Sequence, residues 1–278
     1  MPQFEQILES TLDKVFDSSD EGYCSNLFDS VKYSVLSPGK RLRPQMLLAC
    51  GALLEIDEKK LYPLAVSLEM VHCFTLIHDD LPCMDDDDLR RGRPSNHKVY
   101  GDGVALLAGD SLMALAVDSF MLASDEFDSK SFSLSLKRLI KAMGPLGVIG
   151  GQAQEMQLDQ NLKLEDLCRV YRLKTGALFE AAVMIPFELS RLNRDSSLSM
   201  LLRDFAVSFG VAFQIADDLD DKTQDSHSFG LFSVSGHERW MSDRVLEFQH
   251  NCRKLESLFP QNNPLLELVR PLLLKLKI

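Results

Sequence analysis

Apolar residues recur along this chain at helical spacing, in blocks separated by short polar or Gly/Pro-bearing breaks, and no block alternates as a strand would. Residues 3–17 set Phe4, Ile7, Leu8, Leu12, Val15 and Phe16 on one stripe, which predicts an amphipathic helix. A loop over 18–22 follows, then a second helix over 27–35 that stops at Ser37-Pro38-Gly39. The apolar run 46–54 and the pattern 62–77 predict two more. Residues 104–123 are apolar almost all round, so that helix is expected at the centre of the fold. Asp110 and Asp118 interrupt it, which argues for a core helix over a membrane span.

Further helices are predicted over 133–143 and 148–158, split by Gly144-Pro145, and over 164–189. Gly176 lies inside the last; a mid-helix glycine costs about 1 kcal/mol against alanine, so a kink there should turn Lys174 and Thr175 toward a cavity. Residues 200–218, 243–259 and 264–276 complete the helices, and 93–97, 124–130, 191–197 and 222–236 read as loops. The expectation is an all-α bundle, one domain over 1–278, with facing helices supplying a site.

Polar residues collect where two of the apolar blocks end. Asp79, Asp80 and Asp85 to Asp88 place six aspartates within ten residues, followed by Arg90 and Arg91. Pro82 breaks the helix and would let Asp85 fold back toward Asp79; Asp86 to Asp88, in the loop, have weaker claims as ligands. A second group, Asp217, Asp218, Asp220 and Asp221, ends the 200–218 block, and Asp217 and Asp221 share a helix face at roughly 5–6 Å. Acids at a helix C-terminus oppose the helix dipole and repel one another. A chain that accepts this twice is expected to build one cation site from two helices. Carboxylates in this number suit Mg²⁺ or Ca²⁺. An EF-hand is excluded, because no register over 79–88 supplies both its glycine and its final acid.

The turn Lys40-Arg41-Leu42-Arg43-Pro44 is basic where a helix begins, which fits either an anion site or an ordinary surface turn. His78, on an apolar helix, reads as a packed, hydrogen-bonded residue. The net charge of −11 and pI near 5 argue against general nucleic-acid binding. Six scattered cysteines without a Cys-x-x-Cys pair read as free thiols in a reducing cytoplasm, with Cys73 and Cys83 as packing residues. No basic-then-apolar leader opens the chain, so no secretory signal is expected.

Together these residues resemble the polyprenyl diphosphate synthase family. The first aspartate-rich motif stands as Asp79-Asp80-Leu81-Pro82-Cys83-Met84-Asp85, in the bacterial and plant form, and the second as Gln214-Ile215-Ala216-Asp217-Asp218-Leu219-Asp220-Asp221. Gly39-Lys40-Arg41-Leu42-Arg43-Pro44, Gly150-Gly151-Gln152 and Lys174-Thr175-Gly176 match as well, over roughly residues 25–222. The resemblance implies a single-domain prenyltransferase helix bundle around a deep central cavity, usually a homodimer, with the two acidic motifs facing across it.

It also implies roles. Mg²⁺ would be held by Asp79, Asp85 and Asp217, assisted by Asp80, Asp218 and Asp221. Arg90, Lys174, Thr175 and Gln214 would bind the allylic diphosphate. Lys40, Arg43, His72 and Arg91 would bind isopentenyl diphosphate without metal. The implied reaction is ionisation of the allylic diphosphate, then attack by the isopentenyl double bond. Phe74, about 7.5 Å down the helix from Asp79, with small Thr75 beside it, resembles the short-chain, fifteen-carbon arrangement. Geranylgeranyl diphosphate is the alternative product.

One stretch departs from the family pattern: Leu231 stands where a lysine follows Gly230, and the segment after it is shortened by about ten residues. That departure predicts weaker allylic binding or slower turnover, and admits a non-catalytic regulatory subunit as an alternative function. A terpene cyclase would not need Lys40, Arg43 and His72.

Overall fold

The computed structural model describes residues 2–15, 24–158, 161–221, 231–261 and 263–276. The described residues are helical apart from short connections and one two-stranded hairpin. Two compact units are present, Met1–Leu48 with Asp57–Phe132, and Ala49–Ile56 with Ser133–Ile278.

In the first unit the main helices are α1 (Pro2–Val15), α2 (Ser25–Val35), the start of α3 (Leu42–Leu53), α4 (Glu58–Asp79), α5 (Asn96–Tyr100) and α6 (Asp102–Met121). The β1–β2 hairpin (Leu89–Arg90, Arg93–Pro94) precedes α5. Its centre is α4, buried on every side from Leu64 to Met70. Asp57 caps its start by accepting the Lys59 N–H at 3.1 Å. Small residues of α6, Ala105, Ala108, Gly109 and Ala116, let α4 approach closely. Hydroxyls tie the seam in both directions: Ser67 donates to the Ala116 carbonyl at 2.6 Å and Ser119 to the Pro63 carbonyl at 2.9 Å. His78 sits over Gly109, where an added Cβ would meet its ring at 2.1 Å, and bonds the Leu106 carbonyl at 3.1 Å.

α6 is not central within this unit, contrary to the expectation from its all-round apolarity. One face is buried, while Leu106, Leu107, Met121 and Leu122 lie on an exposed face. Among the described residues three helical segments, Glu58–Asp79, Asp102–Glu126 and Ser196–Asp220, are long and apolar enough to cross a membrane.

The second unit holds the end of α3, most of α7 (Ser129–Met143), α8 (Val148–Glu155), α9 (Leu164–Val170), a π-helical turn at Tyr171–Gly176, α10 (Ala177–Leu189), α11 (Ser196–Asp221), α12 (His237–Leu258) and α13 (Pro264–Lys275). α11 is its axis, packed on α10, α12, α13 and the π turn. Phe179, Phe205, Phe209 and Phe248 form its aromatic core, with Phe179 and Phe209 edge to face at 4.8 Å. A π turn at Lys174–Thr175 gives the expected kink a definite form.

Two features escaped the sequence reading. Residues 93–97 read as loop but contain β2 and the start of α5. The hairpin is a two-residue turn, Arg91-Gly92, with φ of +55° and +75°, the geometry favoured by strand twist. Strands of two residues leave no alternation to detect. The predicted loop 18–22 and residues 222–230 of the 222–236 loop lie outside the described residues.

Candidate functional site

α4 ends by turning its own acids inward. Asp80 is its C-cap, and beyond it the Met84 N–H donates to the Leu81 carbonyl at 2.8 Å. The Asp85 N–H then donates to the Asp79 carbonyl at 2.9 Å, so the Pro82 break folds Asp85 back onto the helix end. Asp80 is buried, and burial, opposed by Arg90, raises its pKa. Arg90 donates Nε–H to Asp80 Oδ1 at 2.8 Å and Nη2–H to Asp87 Oδ2 at 2.7 Å. Asp88 pairs with Lys98 at 2.6 Å. The loop acids Asp87 and Asp88 therefore have local cations, while Asp79 and Asp85 form the turn itself. Cys83 is exposed on this turn, not packed, because the Pro82 break carries it outward.

Two turns earlier on α4, a cationic cradle surrounds His72. Arg91 Nη2 stands 3.4 Å from His72 Nε2. A guanidinium only donates, so Nε2 accepts and the ring proton is on Nδ1. Burial, then the charges of Arg43 and Arg91, hold this imidazole well below its ordinary pKa. Arg91 lies flat on Gly39, where a Cβ would meet its guanidinium at 2.5 Å. Gly39 of the basic turn therefore makes room for a cation from the hairpin. Arg93 donates to Ser37 Oγ at 3.2 Å and stacks on Tyr33 at 4.2 Å, and Tyr33 donates to the Pro94 carbonyl at 2.8 Å. These contacts steady the hairpin that carries Arg90 and Arg91.

The basic turn is not uniformly an anion site. Lys40 is exposed, but Arg41 points inward, at φ +49°. It donates to Glu69 at 2.5 Å, to Glu5 at 2.9 Å and to the carbonyls of Val35 and Ser37. Its charge is spent on structure. Phe74 is buried and meets the His78 ring edge-on at 5.9 Å, and Thr75 donates to the His72 carbonyl at 2.8 Å.

The second unit gathers the other polar residues. Gly151 lets α8 touch the π turn, since a Cβ there would meet the Lys174 nitrogen at 2.3 Å. Gly210 of α11 crosses Gly176 as closely, its Cβ position 2.6 Å from the Gly176 Cα. These contacts set Thr175 against Gln214, to which it donates at 2.8 Å, and Gln214 donates to Asp218 at 3.1 Å. Lys174 pairs with Glu155 of α8, and Tyr171 donates to the other oxygen of Asp218. Lys275 of α13 reaches the Ala216 carbonyl at 3.1 Å and pairs with Asp220, placing a cation where the helix dipole asks for one. Asp217 is half-buried on the same helix end; the Asp221 side chain lies outside the described residues.

The model for the polyprenyl synthetase family matches residues 25–232. The chain belongs to that family. Among curated relatives it is 39% identical over 209 residues to geranylgeranyl pyrophosphate synthase 4 of Arabidopsis thaliana, covering 74% of this chain and 55% of that protein. It is 41% identical over 199 residues to the farnesyl diphosphate synthase of Geobacillus stearothermophilus, covering 71% and 66%. The matched stretch thus spans between about half and two thirds of these relatives' lengths. Among solved structures, a geranyltransferase from Legionella pneumophila matches at TM-score 0.86 and 28% identity over 100% of this chain and 95% of that one. An FPP/GFPP synthase from Zymomonas mobilis matches at 0.83 and 30%, over 98% and 96%. The all-α prenyltransferase fold expected from the motifs is the fold of this family member.

Tyr171, Glu155, Trp240 and Lys275 were not singled out from sequence. Each lies far along the chain from its acidic or basic partner, or in a helix without a motif of its own. Only Glu155, three residues past the Gly150-Gly151-Gln152 motif, carried a usable signal.

Proposed function

We propose that this chain is a magnesium-dependent short-chain trans-prenyltransferase that joins isopentenyl diphosphate to an allylic diphosphate, with farnesyl diphosphate as the main product. One observation supports the reading. Two unlike polar groups stand along α4: the acidic Asp79–Asp85 turn at its end and, two turns before, His72 with Arg91 of the hairpin against it. One suits a diphosphate that arrives with cations; the other suits a diphosphate that arrives without them.

Carboxylates are the right donors for Mg²⁺. Among the described residues no three His, Cys, Asp or Glu side chains converge to hold an ion unaided. An ion there would complete its shell with diphosphate oxygens and water. Asp79, Asp85, Asp217 and Asp221 would hold it, with Asp80 and Asp218 in support; when bound it would offset the charge of the departing diphosphate. Arg90, Lys174, Thr175 and Gln214 would orient the allylic diphosphate, and Lys174 would have to exchange Glu155 for it. Lys40, Arg43, His72 and Arg91 would hold isopentenyl diphosphate with its double bond toward the allylic carbon. Attack forms the new carbon–carbon bond, and the departed diphosphate accepts the proton then lost. The two compact units would act as one catalytic domain, in a homodimer within a reducing, cytoplasm-like compartment, as the free thiols suggest.

Phe74 is the residue for product length. Its replacement by alanine should move the product of the purified chain from fifteen toward twenty carbons; an unchanged profile removes Phe74 from this role. Relatives named for both products match the chain, so chromatography of the products made from labelled isopentenyl diphosphate and geranyl diphosphate with Mg²⁺ is the deciding experiment.

Leu231 favours a second reading. It is buried in a single 3₁₀ turn, at the position where the family pattern has a lysine. A regulatory subunit would keep the fold without needing that lysine. The same assay separates the two, because a regulatory subunit alone would form no product.

A further inference from the structure

Tyr171 has no place in the motifs, yet its phenol reaches the second acidic cluster. The residue is buried at the first position of the π turn, and its hydroxyl donates to Asp218 Oδ2. Gln214 Nε2 donates to Oδ1 of the same carboxylate at 3.1 Å, and Thr175 fixes Gln214 at 2.8 Å. A carboxylate only accepts, so the phenol is the donor in this pair. The Tyr171 ring meets Trp240 edge to face, with centroids 6.2 Å apart and planes at 60°. Trp240 lies in the first turn of α12, just after the 231–233 turn, and is the chain's single tryptophan.

We propose that Tyr171 is the positioning residue of the second acidic cluster, and that Trp240 braces it and reports when the cluster is filled. The inference rests on the prenyltransferase reading. Asp218 lies half-buried in the last turn of α11, and a carboxylate bonded through one oxygen alone could still rotate. Two donors on its two oxygens stop that rotation and aim the remaining lone pairs in one direction, as outer partners do for ligating carboxylates. A cation and diphosphate arriving there would find the acid already oriented. Because the donor sits on the π turn with Lys174 and Thr175, and its ring on α12, filling the cluster changes the field and contacts at Trp240.

The test uses the full chain, Mg²⁺ and inorganic diphosphate, with binding followed both by calorimetry and by Trp240 emission. The unaltered chain should bind with a saturable change in emission. Tyr171→Phe keeps the ring and removes one hydrogen bond to a charged group, so it should bind about ten-fold more weakly with a diminished emission change. In turnover it should raise KM for the allylic diphosphate more than it lowers kcat. Trp240→Ala, read by calorimetry, should weaken binding about three-fold through loss of the brace. Equal affinity and an equal emission change in Tyr171→Phe would overturn the clamp while leaving the prenyltransferase reading standing. Unaltered affinity in Trp240→Ala would overturn the brace. Absence of any binding by the unaltered chain would overturn both this inference and the reading beneath it.

Discussion

Arg41 and Arg43 are two residues apart and identical in type, and Arg41 is committed to the fold. Arg41 and Glu69 are both about 1% exposed and 2.5 Å apart, so neither charge has water to fall back on. Arg41→Ala would strand the Glu69 carboxylate in the core. We expect a loss of about 3–5 kcal/mol in a denaturant melt. His72 makes a second residue-scale prediction. Its folded pKa lies well below the ordinary 6.5, so between those values the unfolded chain binds more protons than the folded one. Its contribution to stability is complete above pH 6.5 and is lost as pH falls below it. A melt series from pH 7 to 5 should show His72→Gln losing less stability on acidification than the unaltered chain. The sequence showed that this turn was basic, but not that Arg41 would turn inward. The acids that decide it, Glu5 and Glu69, lie 36 and 28 residues away.

Among the elements, contacts at single glycines place the polar groups of the second unit. Gly210→Ala would put a methyl 2.6 Å from the Gly176 Cα, and both partners are backbone, so neither helix can yield cheaply. The substitution should cost about 1–3 kcal/mol and, by parting Thr175 from Gln214, weaken binding of the allylic diphosphate in a calorimetric titration. Apart from the five-residue α5, the described α-helices were legible because apolar spacing follows directly from helix geometry. What the spacing missed was the use of each face. α6 reads as fully apolar, but only its small-residue side meets α4, while Leu106, Leu107, Met121 and Leu122 remain outside. The hairpin bearing Arg90 and Arg91 was hidden for the opposite reason, being too short to carry a pattern. Leu231 alters one experiment suggested by sequence alone. A lysine there would bury a charge, so Leu231→Lys should destabilise the chain in a thermal melt rather than restore a lid.

For the whole molecule, the proposed homodimer would seat its second copy on that exposed face of α6. Leu107→Glu should shift the purified protein toward a lower mass in sedimentation equilibrium, and an unchanged mass would remove α6 from the interface. In the proposed reaction the Asp79–Asp85 turn and the Asp217–Asp221 helix end would both serve the departing diphosphate. The most direct test is the rate of diphosphate release from geranyl diphosphate, with Mg²⁺ and isopentenyl diphosphate, in Asp79→Ala and Asp217→Ala measured separately. Each substitution should slow release at least about a hundred-fold while leaving the fold intact. A near-normal rate in either one would contradict the account.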